Sequence, residues 1–544
     1  MEEIPPAVPT TPAASSETTV WRLSWGKVLR WSGSFLFVGL LWWLNWRWVF
    51  PNPDDLRFAS DFGSHPVGQT DFREIPAGFV DDYFDRNGRT ADVLNRVVMA
   101  GWGFWPVTMA AMSALETLAL AFIVKAFPAA RRLPAPVLIL FSFTALSSLN
   151  LVNKEQIGSF VFWPAAHVTY LWELVLLALP LASLLRFGGQ VSRWRRLLDL
   201  FLIVVCALHL ETFGTAMLVV SIVFLVGSFF SRCGFPVSAR AYAVAAFIGG
   251  GLSLVGPGHW RRLSKAVAVD EPFLRHFLGQ TANAVAQYAV SLPLLAGVIA
   301  VLVAVLVLWK NRESAGAITV SPGLHPLLVI GVAFGVLAGD ALLILQAKLR
   351  VKAIGEYCAS HELSFNVLLT SKVAGMTPTL LFLGTVAVTI VLLAVLLFLT
   401  RRAIGMAPLW IMCFGLAGCI LPVLAGQVVA RTFSSFTLSA LLVCLVLLVQ
   451  ILGLAGFVRW GKVTLSGAVI VIGVAACFAT NVLLVEHNQR YAPTFEAVYR
   501  HASMIDYPRE RRSNLGYWNP FVDHQDVLIR PAFDLPPESV FRAQ

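Results

Sequence analysis

The chain has 544 residues, of which 57% are hydrophobic and 13% are charged, and its mean hydropathy is +0.73. No soluble globular domain has this balance, and the recurring apolar runs of about 18 to 25 residues are too long for the strands of a membrane β-barrel. The formal net charge of +10 does not indicate a nucleic-acid partner, because most cations lie at the ends of apolar runs, where they set topology and meet anionic lipid headgroups.

About thirteen membrane-spanning helices are predicted within residues 29–485, after a disordered cytoplasmic tail at residues 1–28. Short basic connections fall on alternate loops, so the positive-inside rule places the N-terminus in the cytoplasm. The odd number of spans then places residues 486–544, which are too polar to span, outside as a small extracytoplasmic cap. The predicted fold class is an all-α polytopic membrane protein. The spans are predicted near residues 31–50, 102–127, 134–152, 163–186, 197–209, 214–231, 240–255, 288–309, 325–347, 378–400, 407–426, 434–457 and 463–485.

The first extracytoplasmic loop, residues 51–97, carries two adjacent acids in "DDYF". Partial burial and mutual repulsion suit one carboxylate of Asp81 and Asp82 for work as a general base. A solvated turn or a helix N-cap is the alternative interpretation, because Asp is common before helices. The following "RTADVLNRVVMAGW" has helical periodicity and predicts an amphipathic helix on the outer surface.

The fourth span begins at "FWPAAHVTYLWE", which places His167, Tyr170 and Glu173 three residues apart on one side of a helix. Polar residues inside a span are candidates for substrate binding. For Trp163 and Tyr170 an interfacial aromatic belt is the alternative interpretation. Glu173 is predicted to lie deeper in the span. It either pairs with a residue of another helix or has a functional role.

The segment 197–231 contains "HLET" at its centre, which predicts two short helices that meet there rather than one long span. A buried carboxylate is costly without a partner, so Glu211 is expected to pair with an Arg or Lys from another loop. For His209 and Glu211 a structural ion pair and a substrate-binding role both remain open.

The stretch "LSLVGPGHWRRLSK" ends the seventh span at a Gly-Pro-Gly break and then gathers cations on the outer side, where the positive-inside rule disfavours them. Such a cluster beside an apolar groove suits the phosphate of a lipid-linked donor, and anionic lipid headgroups are the alternative ligand. Arg431, a cation in a short outer loop, and the basic residues of "QAKLRVK" are predicted to add to the same field. The candidate phosphate-binding residues are His259, Arg261, Arg262, Lys265 and Arg431.

Five segments in this order resemble the GtrII-like group of polytopic membrane glycosyltransferases and an allied membrane family of unknown function: "DDYF", "FWPAAHVTYL", "HLETF", "VGPGHWRRL" and "RTFSSF". Both are similar to the C superfamily of glycosyltransferases, GT-C. The matching segments extend from about residue 80 to residue 435. The resemblance implies a GT-C-like domain in a bacterial inner membrane.

The resemblance also implies an inverting transfer, outside the membrane, from a polyprenyl-phosphate sugar to an acceptor glycan or lipid. In such enzymes an acid of the first external loop is the base, here Asp81 or Asp82. Basic residues of later loops hold the lipid phosphate, here Arg261, Arg262 and Arg431. His259 stands where the allied family typically has Asn.

No cofactor is expected beyond the lipid-linked donor, and a requirement for a divalent metal is left open. The seven cysteines show no CxxC or Cys/His spacing, so neither a metal site nor a disulfide framework is predicted. Two other functions use the same features: a transporter or flippase of a lipid-linked saccharide, and an O-antigen polymerase or ligase. An enzyme that needs a base requires Asp81 or Asp82, whereas a flippase tolerates Asn at both positions.

Overall fold

The structure is a computed structural model of the whole chain. It describes residues 25–47, 49, 58, 72–85, 89–100, 104–152, 161–162, 164–230, 237–258, 260, 273–288, 291–314, 326–360, 375–420, 433–454, 471–484, 504–507 and 540–543.

The described part of the chain is overwhelmingly α-helical. Its helices are α1 (Trp25–Trp46), α2 (Ile75–Asp85), α3 (Thr90–Ala100), α4 (Trp105–Ala126), α5 (Ala135–Val152), α6 (Pro164–Leu171), α7 (Glu173–Phe187), α8 (Arg193–His209), α9 (Glu211–Phe230), α10 (Val237–Val255), α11 (Phe273–Tyr288), α12 (Ser291–Ser314), α13 (Pro326–Ser360), α14 (Met376–Leu399), α15 (Arg401–Ile404), α16 (Ala407–Gly418), α17 (Ser434–Leu454) and α18 (Val471–Leu484). A 3-10 turn, Ala129–Arg132, follows α4. In the C-terminal tail, β1 (Met504–Tyr507) pairs in parallel with β2 (Val540–Ala543).

Each predicted span overlaps a helix, and the fourth span is formed by α6 and α7 together. Among the described residues, seven helical segments are long and apolar enough to cross a membrane. They are Trp105–Ala126, Pro164–Phe187, Glu211–Phe230, Val237–Val255, Leu327–Tyr357, Met376–Leu399 and Ser434–Leu452. The prediction of a helical membrane protein is therefore confirmed in outline, and the count of thirteen spans remains a prediction.

The predicted break within residues 197–231 is confirmed. Helix α8 ends at His209, Leu210 is extended with φ −147° and ψ 139°, and α9 begins at Glu211. Because the break leaves backbone groups without helical partners, polar side chains collect around it.

Three predicted loops are wrong in part, because each contains a helix. Residues 51–97 include α2, and residues 256–287 include most of α11. Helix α3 confirms the helix predicted for "RTADVLNRVVMAGW", but it packs into the bundle with Asn95 and Arg96 buried instead of lying on the outer surface. Helix α13 runs to Ser360, although the ninth span was predicted to end at residue 347. The continuation is explained by Arg350, whose guanidinium donates to Asn283 Oδ1 of α11 at 2.6 Å and to Thr379 Oγ1 of α14 at 3.2 Å. Arg350 is therefore buried between helices instead of lying in an outer loop.

Two indoles fix α1 against α4 in the largest apolar core. Trp42 Nε1 donates to Thr117 Oγ1 at 3.0 Å, and Trp46 Nε1 donates to Ser113 Oγ at 2.9 Å. Both indoles are almost fully buried, so their N–H groups need these partners. A second apolar core joins α12, α13, α14, α16 and α17.

The basic ends of α7, α8 and α10 meet at the end of the bundle that the positive-inside rule predicts to be cytoplasmic. Asp199 Oδ1 accepts from Arg195 Nε at 2.9 Å, and its Oδ2 accepts from Tyr242 Oη at 2.6 Å. Gly188 ends α7 with a left-handed φ of 57°, and its carbonyl accepts from Ser238 Oγ at 2.8 Å. These bonds hold three helices in fixed register.

Helices α9 and α10 approach each other closely at glycine. A methyl group on Gly250 would lie 2.5 Å from the carbonyl oxygen of Gly214 and 2.9 Å from Leu218 Cβ. The next residue, Gly251, has nothing within 4 Å of that position. A side chain larger than hydrogen therefore fits at Gly251 but not at Gly250 without movement of the backbone.

We expect Gly250→Ala to lower the free energy of unfolding by about 1–3 kcal/mol, because two backbones must move apart to admit the methyl group. Gly251→Ala is the matched control, with the same chemical change in the same helix. Thermal unfolding of both variants in detergent checks the prediction. Equal unfolding temperatures would contradict the close packing of α9 on α10.

Candidate functional site

The candidate site lies at the end of the bundle that contains Leu210. We call it the outer end, because the positive-inside rule predicts it to be extracytoplasmic. Helices α3, α6 and α8 contribute to it with α7 and α9, and α2 lies beside α3. These elements carry most of the motifs that the sequence singled out.

An ion pair joins the loop before α3 to the start of α9. Arg89 Nε lies 2.6 Å from Glu211 Oε2, and the two side chains are 19% and 10% exposed. Burial by itself lowers the pKa of Arg89, but Glu211, Tyr170 and Asp92 together outweigh it, and the pKa is raised above its ordinary value. The predicted cationic partner of Glu211 is thus confirmed, and it comes from the first loop.

His209 ties the end of α8 to two other elements. Its Nε2 donates to the Val168 carbonyl of α6 at 2.9 Å, and its Nδ1 lies 3.3 Å from Thr90 Oγ1 at the start of α3. With Nε2 carrying the proton, Nδ1 accepts from the threonine hydroxyl. His209 is 2% exposed and therefore acts first as a connector of helices.

A second carboxyl group lies near the ion pair of Arg89 and Glu211. Glu173, the first residue of α7, is fully buried, and neither of its oxygens has a hydrogen-bond partner among the described residues. It interacts electrostatically with Glu211, and Tyr170 interacts with Arg89. Tyr170 and Glu173 therefore join one cluster, which we call the outer polar cluster: Arg89, Thr90, Tyr170, Glu173, His209 and Glu211.

His167 has a different environment from Tyr170. Its Nδ1 donates to the Val161 carbonyl at 2.7 Å, and its Nε2 lies 2.7 Å from Glu116 Oε2 and 3.0 Å from Ser113 Oγ on α4. All of these side chains are buried. In this conformation His167 supports the site from within the core and does not line its surface.

Asp81 and Asp82 lie inside helix α2, beyond its first turn, so the alternative of a helix N-cap is wrong for both. Their side chains lie outside the described part of the structure. The next residue of the motif is described: Tyr83 Oη donates to the Leu252 carbonyl of α10 at 3.3 Å. Helix α2 therefore lies at the outer end of α10, about one turn before Gly256.

The Gly-Pro-Gly break also stands where the sequence predicts it. Helix α10 ends at Val255, and Trp260, which is 59% exposed, donates its indole N–H to the Leu254 carbonyl at 2.9 Å. The Trp260 side chain thus lies against the last turn of α10. The other candidates of the motifs lie outside the described residues: Trp163, His259, Arg261, Arg262, Lys265 and Arg431.

An apolar cavity of about 510 Å³ lies among α4, the helices α7 to α10, α16 and α17. Its walls include Leu174 and Phe213, each within two residues of a carboxyl group of the outer polar cluster, and reach Tyr242 near the opposite end. Nearly all of the lining residues are apolar. A cavity with such walls suits a hydrocarbon chain.

Sequence reasoning missed Arg89 and Glu116. Arg89 stands in the polar stretch "DRNGRT", where nothing distinguishes it from a solvated loop residue. Glu116 had a usable signal, because it is a carboxyl group in the middle of the apolar run "MSALETLAL". Its partner, His167, was identified as a candidate.

Within the described residues, no group of three or more His, Cys, Asp or Glu side chains is placed to hold a metal ion. The chain matches no protein-family model, no curated protein and no solved structure.

Proposed function

We propose that the protein is a membrane glycosyltransferase that moves a sugar from a polyprenyl-phosphate donor to an acceptor glycan or lipid on the extracytoplasmic face. The observation that carries the proposal is the hydrogen bond from Tyr83 to the Leu252 carbonyl. This bond joins the helix that carries the paired acids to the last turns of α10, the helix that precedes the cationic segment in the sequence. A base and an anion-binding segment side by side are what this transfer needs.

In the proposed reaction, Asp81 or Asp82 takes the proton of an acceptor hydroxyl. The hydroxyl oxygen forms a bond to the anomeric carbon, and the bond from that carbon to the phosphate oxygen breaks with inversion. The charge that develops on the leaving lipid phosphate needs cations, and Arg261 and Arg262 are proposed to supply them with Arg431. His259 and Lys265 belong to the same proposed phosphate site.

Two further features support a lipid-linked donor. The apolar cavity suits a hydrocarbon chain, and its walls include Leu174 and Phe213, which follow Glu173 and Glu211 closely in the sequence. In that cluster Tyr170, His209 and Glu211 carry hydroxyl, imidazole and carboxylate groups of the kind that bind sugar hydroxyls. Trp163 and His167 complete the proposed substrate-binding set, with His167 acting from behind the surface.

Mass spectrometry of cell-envelope glycans from cells with and without the protein tests the proposal, because it detects transfer whichever sugar is moved. We expect an envelope component to gain the mass of one sugar residue when the protein is present. Identical glycans in the two strains would contradict transfer. Accumulation of a lipid-linked saccharide without a change of linkage would favour a flippase.

Arg261→Ala and Arg262→Ala are each expected to weaken binding of the polyprenyl-phosphate sugar by about ten- to a hundredfold, because a charge-assisted contact to an anion contributes about 1.5–3 kcal/mol. Donor binding to the protein in nanodiscs of neutral lipid measures this directly. Arg402→Ala is the control, since Arg402 is an exposed cation at the end of the bundle that is predicted to be cytoplasmic, far from the proposed phosphate site. Unchanged affinity in both variants and in the double variant would leave lipid headgroups as the ligand of these cations.

A further inference from the structure

A carboxyl group outside the candidate site lies within the membrane domain. Helix α13 buries one stripe of residues at alternating spacings of four and three, which is a heptad pattern against α11, α12 and α14. The stripe consists of Val329, Ala333, Val336, Asp340, Leu343, Ala347, Arg350 and Ile354. Asp340 and Arg350 interrupt it, and they need different explanations.

Arg350 has polar partners on the neighbouring helices, at Asn283 and Thr379, as described above. Asp340 is 5% exposed, and neither of its carboxyl oxygens has a hydrogen-bond partner among the described residues. Ten residues of helix separate the two, which is about 15 Å, so they do not pair directly. Asp340 is therefore an uncompensated acid in an apolar helix interface.

The carboxyl group points at a notch in α12. A methyl group on Gly297 would lie 2.9 Å from Asp340 Oδ2 and 3.3 Å from Leu337 Cδ2. The missing side chain of Gly297 thus makes the space that the carboxyl group occupies. Above and below this layer the contacts are apolar, with Val303 and Val336 in one core and Leu343 in the next.

The helices packed against α13 bring no charge to this layer. In the sequence of α14 there is no ionisable residue. Helix α12 has its charged residues, from Lys310 onward, in its last turn, far from Gly297. The ionisable residues of α11 are Arg275 and His276 at its start and Tyr288 at its end. On α13 itself the nearest are Lys348 and Arg350.

An ionised carboxylate without a partner is very unfavourable in such a layer, so the group must carry a bound cation or a proton. A hard metal cation takes about six oxygen ligands. Among the described residues, no group of three or more His, Cys, Asp or Glu side chains is placed to hold a metal ion. The hydroxyl of Thr389, which lies beside Gly339, already donates to the Thr385 carbonyl at 2.9 Å. The donor set suits a proton and not a metal ion.

We propose that Asp340 is a proton-binding site of the membrane domain, which holds a neutral carboxylic acid in the notch at Gly297. Loss of the proton makes the packed position untenable and loosens the contact between α12 and α13. The site thereby links proton binding to helix packing, and it is independent of the proposed glycosyl transfer.

Labelling with dicyclohexylcarbodiimide tests the site on the full-length protein in proteoliposomes. A protonated carboxyl group in an apolar environment adds across the carbodiimide and rearranges to a stable N-acylurea, which peptide mass spectrometry locates. We expect Asp340 to be labelled, and labelling to fall as the pH is raised. Glu356, exposed on the same helix, is the internal control and should react only with a water-soluble carbodiimide.

The Asp340→Asn variant tests whether Asp340 is protonated in the folded protein. Asparagine can replace a neutral acid, but it cannot replace an ionised carboxylate that is paired with a cation. Asparagine is also neutral and has the same shape, so the unfolding temperature should stay within a few degrees of that of the natural protein. A much lower unfolding temperature, or the absence of hydrophobic carbodiimide on Asp340 at every pH, would overturn the proposal. Peptide mapping keeps Asp340 distinct from the buried Glu173.

Discussion

Asparagine in place of the proposed base, either Asp81 or Asp82, is expected to lower the rate of sugar transfer by about 10²- to 10⁴-fold. Asn keeps the shape of the side chain and removes the base. Adjacent residues of a helix point about 100° apart, so only one of the two acids should face the substrate. Asp81 is the preferred candidate because it comes first in the matched "DDYF" motif. Transfer measured in membranes, at equal protein levels, identifies the base.

The control for this experiment is Glu74→Gln, which removes an exposed acid just before the same helix α2. Its rate of transfer should equal that of the natural protein. Wild-type rates for Asp81→Asn, Asp82→Asn and the double variant would show that neither acid is catalytic. A transporter would then be the preferred function.

The second large effect concerns the ion pair between Arg89 and Glu211. Both side chains are mostly buried, so removing one partner leaves an uncompensated charge. We expect Arg89→Met to lower the free energy of unfolding by about 3–5 kcal/mol. The double variant Arg89→Met/Glu211→Gln should lose less than the sum of the two single variants, since it leaves no buried charge unpaired.

Unfolding titrations in detergent measure these differences, with Lys352→Met as the control. The pair of Lys352 with Glu356 is exposed and longer, at 3.7 Å, so its loss should hardly change stability. Additive losses in the double variant would contradict direct coupling. If the variants unfold with the same free energy as the natural protein but no longer transfer sugar, Arg89 and Glu211 bind substrate and do not stabilise the fold.

Hydropathy alone predicted a helical membrane protein, and each predicted span overlaps a described helix, because apolar runs of this length have few other solutions in a bilayer. The polar residues at the centre of "HLET" were enough to predict the break at Leu210. The cost of an unpaired buried carboxylate was enough to predict a cationic partner for Glu211. Its identity was not predictable, since Arg89 reaches Glu211 only through the folding of α3 onto α6 and α8.

The elements that escaped prediction are those whose stability depends on contacts with other helices. Helix α2 is short and contains several polar residues. Helix α3 is predicted by its periodicity, but the burial of Asn95 and Arg96 is not, because it arises only when α3 packs into the bundle. The final turns of α13 pass through a basic stretch that resembles a loop, until Asn283 and Thr379 provide partners for Arg350. Such contacts join residues far apart in sequence, which periodicity cannot show.

The central claim is that this protein transfers a sugar with a base on α2, and mass spectrometry of cell-envelope glycans tests it most directly. Three strains are compared: one without the protein, one with the natural protein restored, and one with the Asp81→Asn/Asp82→Asn variant. We predict that a component heavier by one sugar residue appears only with the natural protein. The same component in the strain with the double variant, or its absence from the restored strain, would contradict the account.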